Sequence, residues 1–426
     1  MQSSGKPSAD RPAGGRRWLT GTQWQVGLVL LIVSVCATVA LLFLWSKSAQ
    51  STAVVLLVHP LGGRSAAQVY RTCASSGSGV GKRYLVTGAA GFIGFSVAQK
   101  LRERGDVVVG VDNFNDYYPV SLKRARASVL RDMGVTVVEL DLNDLQGLQE
   151  LFRLCSFTHV LHLAAQAGVR YAARNPFAYV QSNIAASVSL METMRMQKPM
   201  PLLIYASSSS VYGLSKQFPF TENDRADRPA SLYAATKRSQ ELLAHTYFNI
   251  YRMSVTGLRF FTVYGPWGRP DMSVMSFSRN IVNGKPIRVF KGPNGTELAR
   301  DFTYIGDIVS GVIGALDTAP PSADPRVPPS FRLYNLGNTQ VHTVTEMVET
   351  LQELLGLSAV INYQPLPPTG DVLRTNANIT AAREALGYAP KTNLREGLKQ
   401  FVLWYFDYYG EDGKKIPADE VGYIPD

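Results

Sequence analysis

Short apolar segments alternate with segments of helical length from Lys82 to about Gly265, and no other feature of the chain constrains its fold as much. The apolar segments are rich in Val, Leu and Ile and carry few charges, which is typical of strands buried on both faces. Such strands occur in parallel sheets that have helices on either side. The sequence therefore predicts an α/β fold with a doubly wound parallel sheet, with strands at residues 83–87, 107–111, 135–140, 159–163, 202–206 and 254–259.

The chain after Gly265 contains more Pro and Gly and fewer strand–helix repeats. A first domain is expected at residues 82–264, followed at residues 265–415 by a smaller C-terminal α/β lobe that mainly binds substrate. This lobe closes with an aromatic-rich helix at residues 394–409, and residues 416–426 are expected to be a tail.

An apolar run near the N-terminus, residues 26–45, has no charged residue over about 20 positions. A helix of that length spans the ~30 Å core of a bilayer, and Trp24 and Trp45 flank it as interfacial aromatics do. A buried core helix is the alternative, but the run has no polar face. Basic residues before the run outnumber those just after it, so the N-terminus is expected in the cytosol. The prediction is one transmembrane signal anchor of type II, with a cytosolic tail at residues 1–25 and a Ser/Gly-rich stem at residues 46–81.

Cysteines and sequons bear on the compartment of the rest of the chain. Cys36 lies inside the apolar run, so outside it at most one intramolecular disulfide can form, between Cys73 and Cys155. This is not a disulfide-stapled scaffold. Asn294 and Asn378 begin Asn-x-Thr sequons that a luminal domain would expose to glycosylation, although two such triplets are also expected by chance.

The net charge of +10 comes from scattered basic residues, without a long run or interleaved aromatics. This pattern does not favour nucleic-acid binding, and a phosphate-bearing small molecule would use a positive interior site equally well. The five histidines show no metal-ligand spacing. His159 and His162 are expected in a buried strand, and no metal site is predicted.

A glycine-rich turn, Gly88-x-x-Gly91-x-x-Gly94, follows the first predicted strand and opens a predicted helix. Small residues there let the backbone approach a pyrophosphate, which the free N–H groups and the helix dipole stabilise. Asp112 ends the next strand, 18 residues after Gly94. A carboxylate at that place binds both ribose hydroxyls and repels a 2′-phosphate, so NAD is favoured over NADP; a turn Asp is the alternative. Further cofactor contacts are expected from Phe92, Ile93, Asp141, Leu142, Ala164 and Ala165.

Tyr233 and Lys237 are four residues apart, so they lie on one face of a helix. An ammonium beside a phenol favours the phenolate, and a tyrosine with an ordinary pKa near ~10 then acts as a base near neutral pH. A chance pair on a solvated helix is the alternative. Residues 207–210 are four serines that follow an apolar strand, at the sheet edge where doubly wound folds bind ligands. Together with the glycine turn, these residues suggest an enzyme that moves a hydride and a proton.

Across residues 82–410 the chain resembles the extended short-chain dehydrogenase/reductase superfamily, whose cofactor domain is a Rossmann fold. Within it, the chain is most similar to the membrane-anchored UDP-glucuronate 4-epimerases of plants. The resemblance rests on residues 112–118 (DNFNDYY), 207–213 (SSSSVYG), 233–237 (YAATK) and 259–272 (RFFTVYGPWGRPDM).

Residues at three sites in the sequence separate this reaction from those of its relatives. Sugar-nucleotide dehydratases carry an Asp-Glu pair after the catalytic Ser or Thr, and UDP-glucuronate decarboxylases keep a Glu there. This chain has Ser209 and Ser210 instead, so the acid–base step of dehydration has no obvious agent. Thr262 stands where UDP-galactose 4-epimerases have Asn, and Arg269 offers a cationic fork for a carboxylate or diphosphate. Gly306 departs from the family pattern, in which Asp is more common.

The resemblance implies a role for each candidate residue. The catalytic residues would be Tyr233, Lys237 and Ser208. Tyr233 would take the proton of the sugar C4 hydroxyl, and Ser208 would bind the C4 oxygen. Lys237 would lower the pKa of Tyr233 and bind the nicotinamide ribose. Ser209, Ser210, Thr262 and Arg269 would hold the sugar carboxylate, and Arg300 would hold the diphosphate. The implied cofactor is tightly held NAD.

The resemblance also implies a homodimer, a Golgi membrane location with a luminal catalytic domain, and interconversion of UDP-glucuronate and UDP-galacturonate. The alternatives are a UDP-glucuronate decarboxylase, a UDP-hexose 4-epimerase, and an inactive Rossmann-fold protein that binds nucleotide sugars. The joint presence of the glycine turn, Ser208, Tyr233 and Lys237 disfavours the inactive protein.

Overall fold

The predicted parallel sheet is present in the computed structural model, which describes residues 61–74, 81–322, 324 and 326–420. Seven strands form one parallel sheet in the order β10-β6-β5-β4-β1-β2-β3. The strands in these ranges are β1 Arg83–Thr87, β2 Val107–Asp112, β3 Thr136–Glu139, β4 His159–His162, β5 Leu202–Ser208, β6 Val255–Phe260, β7 Thr262–Tyr264, β8 Ile287–Lys291, β9 Ala299–Tyr304, β10 Phe331–Leu336, β11 Val341–Thr343 and β12 Ile361–Pro365.

Helices cover both faces of this sheet because alternate strand residues point to opposite sides. In β1, Tyr84 and Val86 belong to the core on one face and Leu85 to the core on the other. The helices of the described ranges are α1 Gly63–Ala74, α2 Phe92–Glu103, α3 Val120–Asp132, α4 Leu145–Leu154, α5 Pro176–Tyr179, α6 Ala186–Arg195, α7 Leu232–Tyr251, α8 Ser273–Val282, α9 Ile305–Asp317, α10 Val344–Leu355, α11 Thr380–Leu386 and α12 Leu394–Tyr409. Helices α2 and α9 contribute to the first core, and α4, α6 and α7 to the second.

The order of the strands reverses between β1 and β4, which are neighbours in the sheet although β2 and β3 separate them in sequence. Doubly wound folds bind ligands at such a switch point, outside the carboxyl ends of the strands. The turn after β1 and the loop after β4 meet there. The fold therefore places the glycine-rich turn beside the residues that follow His162.

Part of the segment expected to be a stem is a docked helix instead. Helix α1 buries Ala66 and Val69 against β2, β3 and α4. A disulfide joins Cys73 near its end to Cys155 just after α4, with the Cα atoms 5.7 Å apart. The Ser/Gly content that indicated a linker comes from the residues that follow α1, whereas the apolar residues Ala66, Val69 and Cys73 recur at helical spacing along one face.

The C-terminal part does not separate from the first domain as cleanly as expected. Strand β10 lies far beyond Gly265 yet pairs with β6 in the large sheet, and α9 packs against α2. Strands β7, β9 and β11 form a three-stranded sheet and β8 pairs with β12. Substrate binding by residues 265–415 stays a prediction.

Within the described ranges, no helix is both long enough and apolar enough to cross a membrane. The predicted signal anchor at residues 26–45 lies outside those ranges.

Candidate active site

A cavity of about 1070 Å³ opens at the carboxyl ends of β1 to β6. Its volume exceeds the range of about 300–1,000 Å³ that is typical of single small-molecule sites, as expected for a dinucleotide and a second ligand. Every residue that the sequence analysis assigned to the cofactor, the substrate or catalysis lines this cavity. The roles of these residues stay predictions, whereas their convergence on one cavity is observed.

The glycine-rich turn is so close to its neighbours that side chains do not fit. Gly88 has φ +69°, and a Cβ there would lie 2.8 Å from the backbone of Ala164. A Cβ on Gly94 would lie 2.0 Å from the Gly88 carbonyl oxygen. Helix α2 begins at Phe92 without a side-chain cap, and Phe92, Ile93 and Gly94 line the cavity, so the first turn of α2 can offer N–H groups to a pyrophosphate.

Two carboxylates are held at the ends of β2 and β3. Asp112 accepts hydrogen bonds from the backbone N–H groups of Ala90, at 3.0 Å, and Phe114, at 2.9 Å. Asp141 accepts from the Asn113 side chain at 2.8 Å. Burial opposes the ionised form of Asp141, but its hydrogen bonds outweigh that effect and lower its pKa. Both residues line the cavity, and a carboxylate at the end of β2, as Asp112 is, fits the adenosine ribose of NAD.

Lys123, which the sequence placed only among the scattered basic residues, lines the cavity. Its Nζ donates to the carbonyl and side-chain oxygens of Asn115, at 2.8 and 2.6 Å. Burial lowers the pKa of Lys123 to about 8. The signal in the sequence was its position in the first turn of a helix that follows the Asp112 segment.

Tyr233 and Lys237 reach the cavity from the first turns of α7, which Ser231 caps. Lys237 Nζ donates to the Ala206 carbonyl at 2.7 Å and to Gln240 Oε1 at 3.2 Å. Burial lowers the pKa of Lys237 to about 7. Burial also raises the pKa of Tyr233, and the groups that oppose this rise are the Ser208 hydroxyl and the Arg269 charge. The expected lowering of the Tyr233 pKa by Lys237 therefore stays a prediction.

The four serines have different surroundings. Strand β5 ends at Ser208, and Ser209 starts a short 3₁₀ turn. Ser208 Oγ accepts from the Ser210 backbone N–H at 3.2 Å. Ser207 instead donates to the buried carboxylate of Glu241 at 2.6 Å. Ser208 is therefore the serine whose hydroxyl faces the Tyr233 phenol.

Arg269 and Thr262 also line the cavity, from the part of the chain that follows β6. The guanidinium of Arg269 donates to Asp271 at 3.0 Å from Nε, and the Tyr117 hydroxyl donates to the same carboxylate at 3.1 Å. Burial acts against the charged form of Arg269, but Asp271 outweighs it and raises the pKa. Arg269 is thus a cation of the cavity wall that Asp271 holds in place.

A buried arginine joins the cofactor turn to the Arg269 loop. Arg126 donates to the Ala90 carbonyl at 2.9 Å and to the Trp267 carbonyl at 2.7 Å. It also donates to the Tyr118 hydroxyl at 2.9 Å. The sequence analysis missed this link because it connects segments that are distant in the chain.

The predicted diphosphate clamp, Arg300, lies in the cavity next to Asp371, with Nη2 3.8 Å from the carboxylate. Burial lowers the pKa of Arg300. Arg170, which follows β4, donates to Asp371 at 2.7 Å. The sequence analysis missed Arg170 and Asp371 because they lie outside any motif. Gly306 begins α9 and does not line the cavity.

Comparisons with known proteins agree with this geometry. Residues 84–337 match the NAD dependent epimerase/dehydratase family. The chain is 49% identical over 410 residues to UDP-glucuronate 4-epimerase 2 of Arabidopsis thaliana, covering 94% of each chain. It is 54% identical over 355 residues to UDP-glucuronate 4-epimerase 1 of the same plant, covering 82% of this chain and 81% of that one. A crystal structure of UDP-glucuronic acid 4-epimerase from Bacillus cereus, in complex with UDP-glucuronic acid and NAD, is 32% identical. It superposes with a TM-score of 0.69 and covers 77% of this chain and 100% of that chain.

Proposed function

The chain belongs to the NAD dependent epimerase/dehydratase family, and we propose that it is a UDP-glucuronate 4-epimerase that interconverts UDP-glucuronate and UDP-galacturonate. One observation carries the proposal. Tyr233 and Ser208 face a dinucleotide-sized cavity that Ser209, Ser210 and Arg269 also line, and the Arg269 charge acts on the Tyr233 phenol. The Arabidopsis and Bacillus cereus proteins described above support the choice of substrate.

Bound NAD supplies the hydride acceptor and donor for C4 of the sugar. Tyr233 takes the proton of the C4 hydroxyl while the alcohol becomes a ketone, and it returns that proton to the same oxygen when C4 is reduced on its other face. Ser208 binds this oxygen in both directions. The cavity leaves room for the keto sugar to turn about its diphosphate link.

The 4-keto sugar is a β-keto acid, so it loses CO₂ if its carboxylate stands perpendicular to the carbonyl plane. Arg269, Ser209, Ser210 and Thr262 surround the place where this carboxylate is expected. A fixed cation and three hydroxyls hold the carboxylate in another orientation. Ser209 and Ser210 stand where a dehydratase carries carboxyl groups, so dehydration of the sugar is not expected.

One assay tests the proposal against its alternatives. The purified full-length protein is incubated with UDP-glucuronate and, in separate reactions, with UDP-glucose and other UDP-sugars, without added reductant, and the products are resolved by chromatography. UDP-galacturonate is expected. A UDP-pentose would support a decarboxylase, conversion of UDP-glucose alone would support a UDP-hexose 4-epimerase, and no turnover with any UDP-sugar would support an inactive binding protein.

We further propose that the protein is a single-pass type II protein of the Golgi membrane with a luminal catalytic domain. The apolar run at residues 26–45 and the basic residues before it support this orientation. The Cys73–Cys155 disulfide supports it independently, because disulfides persist in oxidising compartments.

We also propose a homodimer that forms through the helix carrying Tyr233 and Lys237. Helix α7 exposes Leu242 and Ile250 by 56% and 58%, although both are large apolar residues. Phe177 on α5, which packs against α7, is 78% exposed. Contiguous exposed apolar patches mark interaction sites, and we expect these three side chains to belong to one. Ultracentrifugation at several protein concentrations would test the assembly.

A further inference from the structure

A carboxylate is buried directly behind the reacting groups without lining the cavity. Glu241 follows Lys237 by four residues and Tyr233 by eight, so all three lie on one face of α7. Only 1% of the Glu241 surface is exposed. The proposed reaction does not use this residue, and its contacts require another explanation.

Glu241 binds three groups from three elements. Arg259 of β6 donates to both of its oxygens, at 2.8 Å from Nε and 2.9 Å from Nη2. Ser207 of β5 donates at 2.6 Å, and Arg238 of α7 donates at 2.7 Å. The carboxylate therefore fastens α7 to the ends of β5 and β6.

These contacts belong to a row of polar residues that crosses the sheet. Ser207, Arg259 and Asn335 are register partners on β5, β6 and β10. The Tyr212 hydroxyl accepts from Arg259 at 3.0 Å and donates to Asn335 at 2.6 Å. Ser208 follows Ser207 directly, so the row lies immediately behind the serine that faces Tyr233.

Stability alone does not account for a buried ion pair of this kind. The desolvation of two charges is costly, and apolar residues of similar volume are often as stable or more stable. The Glu241 carboxylate joins Ser207 and Arg259 to the catalytic helix, so its burial is better explained by a role in positioning the reacting groups. Its neighbours are Ser208 on one side and Lys237 on the other.

We propose that Glu241 is a positioning residue of the reaction: its carboxylate fixes Ser208 relative to Tyr233 and places a negative charge one helix turn from Lys237. The inference rests on the proposed function, because it assigns Glu241 to the same reaction. It adds to that function a residue that touches neither the substrate nor the cofactor.

The electrostatic part follows from the groups that face Lys237. Burial lowers its pKa to about 7, and Glu241 is the group that opposes this shift. His162 of β4 is neutral near pH 7 because burial lowers its pKa to about 3. The remaining charges, on Arg238 and Arg259, are paired with Glu241.

Loss of the Glu241 charge therefore lowers the pKa of Lys237 further. The ammonium, which is expected to favour the Tyr233 phenolate, is then lost at a lower pH. The alkaline limb of the kcat profile is expected to move to lower pH. A residue that only stabilised the fold would not move this limb.

The test uses Glu241→Gln together with the double variant Glu241→Gln/Arg259→Gln. The single variant leaves Arg259 buried without its partner and is expected to be less stable. The double variant restores a neutral hydrogen-bonded pair, so its melting temperature is expected to recover. Ser207→Ala removes only the contact to β5. Glu192→Gln is the matched control, because Glu192 pairs with Arg195 and Tyr247 on a helix surface away from the cavity.

We expect the double variant to keep a kcat reduced about 10- to 100-fold, with the KM for UDP-glucuronate changed less than about threefold and the alkaline limb at lower pH. Ser207→Ala is expected to lower kcat without moving the limb. A direct readout is the pKa of Lys237 from NMR of protein labelled at lysine Cε, with Lys237→Arg for assignment. It is expected to fall in the double variant and to stay unchanged in Glu192→Gln.

A double variant with wild-type kcat, pH profile and Lys237 pKa overturns the inference while the proposed function stands. If kcat recovers together with the melting temperature, Glu241 is only structural and the inference is again wrong. A wild-type protein that does not convert UDP-glucuronate contradicts the proposed function itself, and the inference falls with it.

Discussion

Tyr233 and Lys237 share one helix face, yet their nearest partners differ. Lys237 is held by the Ala206 carbonyl and Gln240, whereas Tyr233 has Ser208 and the charge of Arg269 as the groups that favour its phenolate. Arg269 thus has two roles in the proposed reaction: it favours the Tyr233 phenolate, and it is expected to bind the sugar carboxylate. At the scale of single residues, the site is a phenol between a hydroxyl and a fixed cation.

Replacement of Tyr233 by Phe is expected to lower kcat about 10²- to 10⁴-fold, because the proton of the C4 hydroxyl then has no positioned acceptor. The affinity for UDP-glucuronate, measured by calorimetry, is expected to change little. Tyr247→Phe is the matched control on the same helix, since Tyr247 contacts Glu192 outside the cavity. Wild-type turnover by Tyr233→Phe would exclude Tyr233 as the base.

Arg269→Ala is expected to release a UDP-pentose together with UDP-galacturonate, because the carboxylate of the keto sugar is no longer held in place. Product analysis by liquid chromatography and mass spectrometry measures the ratio. Arg195→Ala, which breaks a surface pair on α6, serves as the control. Normal epimerisation without UDP-pentose would show that Arg269 does not control the carboxylate.

At the scale of elements, a chain of buried polar groups joins β1, β4, α6 and α7. His162 bonds to Thr87 Oγ1 and to Ser187 Oγ, both at 2.9 Å. Gln240 donates to the same Ser187 at 3.1 Å and accepts from Lys237. The strand that ends in the glycine turn is thereby connected to the helix that carries the reacting groups.

Because His162 is buried within these polar groups, we expect the protein to lose stability in acid. The pKa of buried His162 is about 3, below its ordinary value of 6.5, so the unfolded chain binds more protons between these two values. The free energy of unfolding therefore falls as the pH drops through this window, by at most about 1.4 kcal/mol per pH unit for this group. Urea unfolding at several pH values measures the slope. His162→Gln is expected to have a shallower slope than the wild type, and an equal slope would contradict the assignment.

The parts of the fold that could be predicted from the sequence are those whose residue pattern lies within one short segment of the chain. Strand β1, the turn at Gly88 and helix α2 follow one another within a short segment, and each was placed within a residue or two. Helix α1 was missed because its apolar face is short and its docking depends on the distant Cys155. The link from Glu241 to Arg259 was missed for the same reason, since nothing in either segment marks the other as its partner.

At the scale of the whole molecule, the two sequons allow a test of the luminal orientation. Asn294 lies in an exposed turn between β8 and β9. Asn378 is half-buried, its side chain accepts from the Thr380 N–H at 2.9 Å, and its carbonyl accepts from Asn335. Glycosylation is therefore expected at Asn294 and not at Asn378.

Protein expressed in plant cells is expected to shift in mobility after glycosidase treatment. Asn294→Gln is expected to abolish the shift, and Asn378→Gln is expected to leave it unchanged. Two results together would show the opposite orientation. Neither native sequon would carry a glycan, and an Asn-x-Thr sequon introduced before residue 26 would be glycosylated.

The central claim is that the hydride leaving C4 of UDP-glucuronate returns to the same carbon on the other face. The most direct measurement follows UDP-glucuronate that carries deuterium at C4, converted by the full-length protein in ordinary water. We expect UDP-galacturonate that keeps its deuterium at C4, in a mixture that is the same when the reaction starts from either sugar. A UDP-galacturonate whose deuterium has exchanged with solvent, or a UDP-pentose as the main product, would contradict the account.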